Sequence, residues 1–395
     1  MADQDTGRVA EVFRIFLRLG LTSFGGPVAH LGYFRAELVE RRRWLTDAAY
    51  ADLVALCQFL PGPASSQVGF ALGMLRAGWG GALAAFAGFT LPAALLMVAF
   101  AFGAARMDGV LWSGALDGLK IVAVAIVAQA VLGMARSLCP DPERAGIAAG
   151  AVLLLAALPG ALAMPGAIVL GALAGLLLNR GAAGAGHAAA LGAVSPRAGL
   201  VALALFAALV VLLPLAAATG AAPPMVAGFY RAGALVFGGG HVVLPLLDAA
   251  VVQTGQISAD AFLVGYGAAQ AVPGPLFTFA AYLGVLAPPG GLAGAALASA
   301  ALFLPGFLLL VAALPFWDAL RRRARAQSAM QGANAAVVGI LAAALYHPVF
   351  TSAVGGMGDV ALATVCAVLL VAWKAPPLAV VALGAAGGML LATLP

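Results

Sequence analysis

The residues most able to do chemistry in this chain are those that stop a helix inside an apolar stretch, together with the polar side chains beside them. Gly25-Gly26-Pro27 and Pro61-Gly62-Pro63 interrupt two early apolar segments, and Gly238-Gly239-Gly240 and Pro273-Gly274-Pro275 interrupt two later ones. Proline lacks an amide hydrogen and clashes with the preceding turn, while glycine lets a ligand approach the backbone. A helix that restarts after such a break presents unpaired N–H groups and the positive end of its dipole, which is a cradle for an anion. Ser65, Ser66 and Gln67 follow the first Pro-Gly-Pro, Thr278 lies three residues beyond the second, and His241 follows Gly240. Such uncharged donors suit a tetrahedral oxyanion. The plain alternative is that the breaks only pack or terminate helices; four of them in duplicated positions favour a binding role.

Charges inside the apolar spans are few. Lys120 lies mid-span in LDGLKIVAVAI, where a lone ammonium costs about 3 kcal/mol and needs a partner or a polar cavity. Asp117, three residues earlier on the same helix face, could pair with it; alternatively Lys120 lends positive charge to an anion pathway, and Asp117 modulates it or carries a coupling proton. Arg18 and Arg231 sit seven residues before their Gly-Gly breaks and either snorkel to headgroups or line an entrance. His30 and His241 could carry a proton or be satisfied buried histidines. Gln58 and Gln270, which head the Pro-Gly-Pro motifs, and Asn334, at the position equivalent to Lys120, complete the expected pathway.

These residues belong to a duplication. Phe16 to Gly26 reads FLRLGLTSFGG and Phe229 to Gly239 reads FYRAGALVFGG, identical at six of eleven positions. Gln58-Phe-Leu-Pro-Gly-Pro63 recurs as Gln270-Ala-Val-Pro-Gly-Pro275, Pro92 matches Pro305, and Gly118 matches Gly332. The expected organisation is a first repeat over 1–180, a linker with one orientation-inverting helix over 181–224, and a second repeat over 225–395. Uninterrupted apolar runs predict about nine full crossings beside four broken segments, in an all-α polytopic membrane protein. Arg35, Arg41, Arg42 and Arg43 follow the first broken segment, whereas the matching loop from Gln253 to Ile257 has no basic residue; Arg321, Arg322, Arg323 and Arg325 follow the span of Pro305, where the first half has only Arg106. Short Arg-rich loops stay cytoplasmic. If the broken segments re-enter, five crossings separate equivalent points, so the halves form an inverted repeat with the N-terminus cytoplasmic and the C-terminus periplasmic.

Bulk composition agrees. Of 395 residues 9% are charged and 64% hydrophobic, against about 25% charged in a soluble domain, which excludes a DNA-binding protein, a cytosolic dehydrogenase or a receptor with a large ectodomain. The net charge of +5 fits cytoplasmic loops and not nucleic-acid binding. Cys57, Cys139 and Cys366 are isolated in apolar runs, so no disulfide framework or metal site is expected. No Ser/His/Asp set, H-E-x-x-H or phosphate-binding G-x-x-x-x-G-K-[ST] loop occurs, so neither catalytic residues nor a cofactor are expected. Inverted repeats with discontinuous helices are the architecture of secondary transporters.

Phe-Gly-Gly-Pro at 24 to 27, Gln-Phe-Leu-Pro-Gly-Pro at 58 to 63, Phe-Gly-Gly-Gly-His at 237 to 241 and Ala-Val-Pro-Gly-Pro at 271 to 275 together resemble the chromate transporter family, long-chain type, over nearly the whole chain. The resemblance implies an inner-membrane protein, made by fusion of two homologous domains, that exports chromate and confers chromate resistance. Chromate is a divalent tetrahedral oxyanion close in size to sulfate, so a sulfate or other oxyanion permease is the near alternative. A membrane enzyme or lipid-handling scaffold that admits a phosphate headgroup is the distant one. The implied partners are chromate, sulfate and the lipid bilayer, and two copies could pair as a homodimer. The second half departs from the first at Gly240-His241, where the first has Pro27-Val28, so the halves need not contribute equally.

Overall fold

The structure, a computed structural model, describes residues 2–104, 106, 108–158, 160, 162–178, 194–220, 222–321 and 323–394; the expected linker lies outside the described residues from 179 to 193. Every regular element among them is helical. The first half comprises α1 (Ala2–Thr22), α2 (Gly26–Phe34, continued by π-helical turns to Arg41), α3 (Asp47–Phe59), α4 (Ala64–Ala104), α5 (Val110–Leu138), α6 (Pro142–Ala157) and α7 (Ala163–Leu178). Helix α8 (Pro196–Ala218) joins it to the second half. There follow α9 (Pro224–Leu235), α10 (Gly240–Val252), α11 (Ala259–Ala269), α12 (Leu276–Leu286), α13 (Gly291–Ala313), α14 (Ala324–Ala353), α15 (Met357–Val371) and α16 (Pro377–Thr393). Side chains start several of them: Thr46, Asp141, Ser195 and Ser258 each accept from the amide three residues on, relieving amides a helix leaves unpaired at its start.

The broken segments turn back instead of spanning. Glu11 in α1 pairs with Arg42, just beyond α2, at 3.5 Å and with Arg76, at the end of the first arm of α4, at 3.0 Å. Helix α4 bends at Ala77 and Gly78, which leave helical geometry. One end of each re-entrant arm is therefore gathered at one surface, and the breaks at Ser23–Gly25 and Leu60–Pro63 lie at depth between them. Glu37 joins this network: burial pushes its carboxyl up, but hydrogen bonds from Arg42 and Arg41 outweigh that and hold it below its ordinary value. In the second half Ala250 of α10 sits against Gly228 of α9, and Tyr282 of α12 donates its hydroxyl to the Ala261 carbonyl of α11 at 2.8 Å, so these segments also fold back.

Connectivity assigns sides. The second arm of α4 leaves the Arg76 surface, α5 returns to it, and Asp141, Arg144, Leu178 and Ser328 border one small crevice there. Helix α14 starts at that surface beside Arg323 and Arg325, so α13, which leads into it, begins on the opposite side, as do the turns at 253–258 and 287–290. The equivalent loops 42–46 and 253–258 thus lie on opposite sides, and the repeat is inverted. The halves also exchange helices: α5 packs on α16 and α14 on α7. Both crossings run on glycine, with Gly118 against the Gly384 carbonyl and Gly332 against the Gly171 carbonyl.

Of the nine expected crossings, α4, α5, α8, α13 and α14 are long and apolar enough to span. Helices α6, α7, α15 and α16 have only 16, 16, 15 and 17 residues, or about 24 Å for 16 residues, short of the roughly 30 Å hydrocarbon core. Apolar residues flank these helices without being helical themselves, as at Leu158 and Leu162. Behind the breaks, Phe70, Phe86, Phe303 and Phe307 stack between α4 and α13, with centroids 4.5 Å apart for Phe70 and Phe307 and 5.1 Å for Phe86 and Phe303.

Candidate functional site

Each break is held by the other half. The Gly62 amide donates to the Val236 carbonyl at 2.7 Å, and the Gly274 amide donates to the Ser23 carbonyl at 2.9 Å. Val236 and Ser23 are equivalent residues, each preceding a Phe-Gly-Gly triplet, so the two bonds are one contact repeated about a pseudo-two-fold axis. Both donors have left-handed backbone, φ 122° at Gly62 and 102° at Gly274, and a Cβ on Gly62 would stand 2.9 Å from the Gly306 Cα. Only glycine satisfies both the torsion and the approach.

Four helix starts meet at one cavity of about 580 Å³. Pro27 and Val28 bring the start of α2, Pro63, Ala64 and Ser65 that of α4, Gly240 that of α10, and Pro275, Leu276 and Phe277 that of α12. Gly62, Gly238, Gly239 and Gln58 close the turns, and Gln327, Gln331, Asn334 and Ser137 bring polar groups from α14 and α5. Among the described residues neither a basic nor an acidic side chain lines it. What it offers an anion is backbone: an α-helix start carries roughly half a unit charge, so four such starts would offer up to roughly two.

The sequence-derived candidates divide. Ser65 is buried, lines the cavity and bonds His30 Nδ1 at 3.3 Å, so His30 sits one layer behind the wall. Gln67 faces away: its amide nitrogen donates to the carbonyls of Pro61 at 3.0 Å and Gly306 at 2.9 Å, fastening the first break to α13. Ser66 is buried beside it, Thr278 spends its hydroxyl on the Pro275 carbonyl at 2.8 Å, and Pro273 is a buried part of its turn. Gly25, Gly26, Gly274, Gln270 and His241 line a second, smaller cavity of about 260 Å³, which shares Pro27 and Leu276 with the first. There His241 Nδ1 meets the Tyr266 hydroxyl at 2.7 Å. Arg18 and Arg231 are exposed and line neither cavity. Lys120 lines neither as well; it pairs with Asp117 at 2.7 Å and Asp260 at 2.9 Å.

Sequence reasoning passed over Gln327, Gln331 and Ser137 in the larger cavity, Gln129 and Lys374 in the wall of the smaller one, and Tyr266 beside His241. A signal existed for the first two: with Asn334 they fall at i, i+4 and i+7, one polar stripe on an otherwise apolar helix. Nothing local marked Lys374 or Tyr266, whose positions depend on contacts far along the chain.

Re-entrant arms clipped across an inverted repeat around a helix-start cavity, in a bundle of apolar helices, define a membrane transporter. The chain matches the model of the chromate transporter family twice, over residues 10–222 and 223–389, and it belongs to that family. It is 31% identical over 340 residues to the chromate transport protein of Pseudomonas aeruginosa, covering 84% of this chain and 79% of that one. It is 29% identical over 352 residues to the chromate transport protein of Cupriavidus metallidurans (86% and 82%). The probable chromate transport protein of Synechococcus elongatus is 27% identical over 358 residues (85% and 83%). No solved structure matches the chain significantly.

Proposed function

We propose that this protein is a secondary transporter that exports chromate across the cytoplasmic membrane and so confers chromate resistance. The observation that carries this is the meeting of four helix starts at one cavity with no charged side chain among the described residues of its wall. Their summed dipole charge of up to roughly +2 matches a dianion, and a site without a fixed cation binds weakly enough to release its cargo. The names of the three relatives supply chromate as the dianion; the helix ends suit sulfate equally. We place the Arg-rich surface in the cytoplasm by the positive-inside rule, which makes the N-terminus cytoplasmic, the C-terminus periplasmic, and the larger cavity a cytoplasmic vestibule beside Gln327 and Ser137. A membrane potential negative inside favours export of a dianion by about 4.6 kcal/mol per 100 mV, so no ATP site is required. All four starts come from one chain, so a homodimer would not share a site.

Purified protein in liposomes should move chromate down its gradient, with sulfate competing. Uptake into inverted vesicles with and without a pH gradient measures direction and proton coupling together. Absence of any chromate or sulfate flux in protein that melts cooperatively would overturn the proposal.

A further inference from the structure

The two halves are alike in sequence but not in arrangement. Helix α11 of the second half lies directly on α5: Gly267 is packed against the Leu119 carbonyl, and Val264 is buried with Leu119, Val122 and Ile126. Inverting the repeat turns α11 into α3 and α5 into α14, so Gly267 becomes Ala55 and Leu119 becomes Ala333. The equivalent contact is missing. Helix α3 packs on α4 and on the turn after α2 and makes no comparable contact with α14. The space between them is the 580 Å³ cavity, with Ala55 and Gln58 on one wall and Gln331 and Asn334 on the other. The side away from the Arg-rich surface is therefore shut where its mirror image is open.

The contact of α11 with α5 carries an ion pair of its own. Lys120 of α5, with 14% of its side chain exposed, is held between Asp117 on its own helix and Asp260 at the start of α11, whose side chain is 69% exposed. The equivalents of Lys120 and Asp260 in the open half are Asn334 and Ala48. No ion pair can form there. The contact of α11 with α5 therefore has a fastening that its counterpart between α3 and α14 lacks.

The structure assigns Lys120 and Asp260 to a one-sided clasp that closes the far face of the transporter, with Asp117 orienting the ammonium. Resting on the transport reading above, this makes the described arrangement the favoured state of the unloaded protein. In the opposite state α11 leaves α5, exposing Val264, and α3 settles on α14, burying Ala55. Lys120 is a positioning residue for the cycle and touches no substrate.

The experiment reads accessibility. In protein with Cys57, Cys139 and Cys366 replaced by alanine, Val264→Cys and Ala55→Cys are reacted separately with a membrane-impermeant maleimide, the first from the Asp260 side and the second from the Arg-rich side. With the clasp intact Ala55→Cys should label and Val264→Cys should not. Adding Lys120→Met should raise labelling at 264 and lower it at 55, each about fivefold, as expected for one partly exposed ion pair. The charge swap Lys120→Asp with Asp260→Lys should restore the original pattern where either single change shifts it. Unchanged labelling in Lys120→Met with weakened chromate binding would overturn the clasp and make Lys120 an anion ligand, and unchanged labelling with unchanged binding would overturn it too. A shift in labelling in protein that carries neither chromate nor sulfate would sustain the clasp and overturn the substrate instead.

Discussion

At the scale of single residues, Gln67 is the most informative side chain. It reads in the sequence as a donor following a helix break, and it is a donor, but both bonds go to backbone at Pro61 and Gly306. A buried carbonyl deprived of its partner costs about 1–3 kcal/mol. Gln67→Leu should therefore lower the melting temperature in detergent, and Gln67→Glu should lower it further because a carboxylate repels both carbonyls. A melt equal to that of the unsubstituted protein would show that the amide supports neither break nor helix. Local spacing revealed Asp117 as a partner of Lys120, since three residues on a helix bring side chains together. It could not reveal Asp260, which arrives from 140 residues away. The same distinction applies to Ser65 and His30: each could be singled out from the sequence, but their contact at 3.3 Å appears only once α2 folds back over α4.

At the scale of elements, the breaks were legible as breaks. Proline and glycine clustered in an apolar run seldom do anything but stop a helix, and all four clusters fall where a helix stops. Whether the chain then crosses or returns was not legible, because that depends on Glu11 meeting Arg42 and Arg76, and apolar residues flank both alternatives equally. The turns themselves are testable through their glycines. At Gly62 a Cβ would stand 2.9 Å from backbone, at Gly274 its nearest neighbours would be the Ala93 Cβ and the Phe89 carbonyl oxygen, both at 3.2 Å, and both positions have left-handed φ. Gly62→Ala should cost about 1–3 kcal/mol of strain and lower the melting temperature more than Gly274→Ala, with loss of chromate flux in both. Equal melting temperatures would mean that α13 yields at Gly306. Helices α7, α15 and α16 came out shorter than their apolar runs because hydropathy counts apolar residues at the ends of a run whether or not they are helical.

At the scale of the whole molecule, the duplication and the charge bias together implied an inverted repeat, and the chain folds as one. Reporter fusions placed after Arg43 and after Gln256 should fall on opposite sides of the membrane, cytoplasmic for the first; the same side for both would contradict the orientation. What no sequence pattern disclosed is the difference in arrangement between two homologous halves, one lying closed on α5 and the other standing open beside α14. That difference belongs to a state of the molecule and not to its composition. The crossed bonds from Gly62 to Val236 and from Gly274 to Ser23 also bear on how the protein is made. When Gly62 leaves the ribosome its acceptor has not been synthesised, and at about 5–20 residues per second Val236 follows roughly 10–35 s later. Throughout that interval the first half sits in the membrane with an unpaired turn and with α5 still waiting for α16, so insertion must either shelter the half-built chain or hold it until the second half arrives.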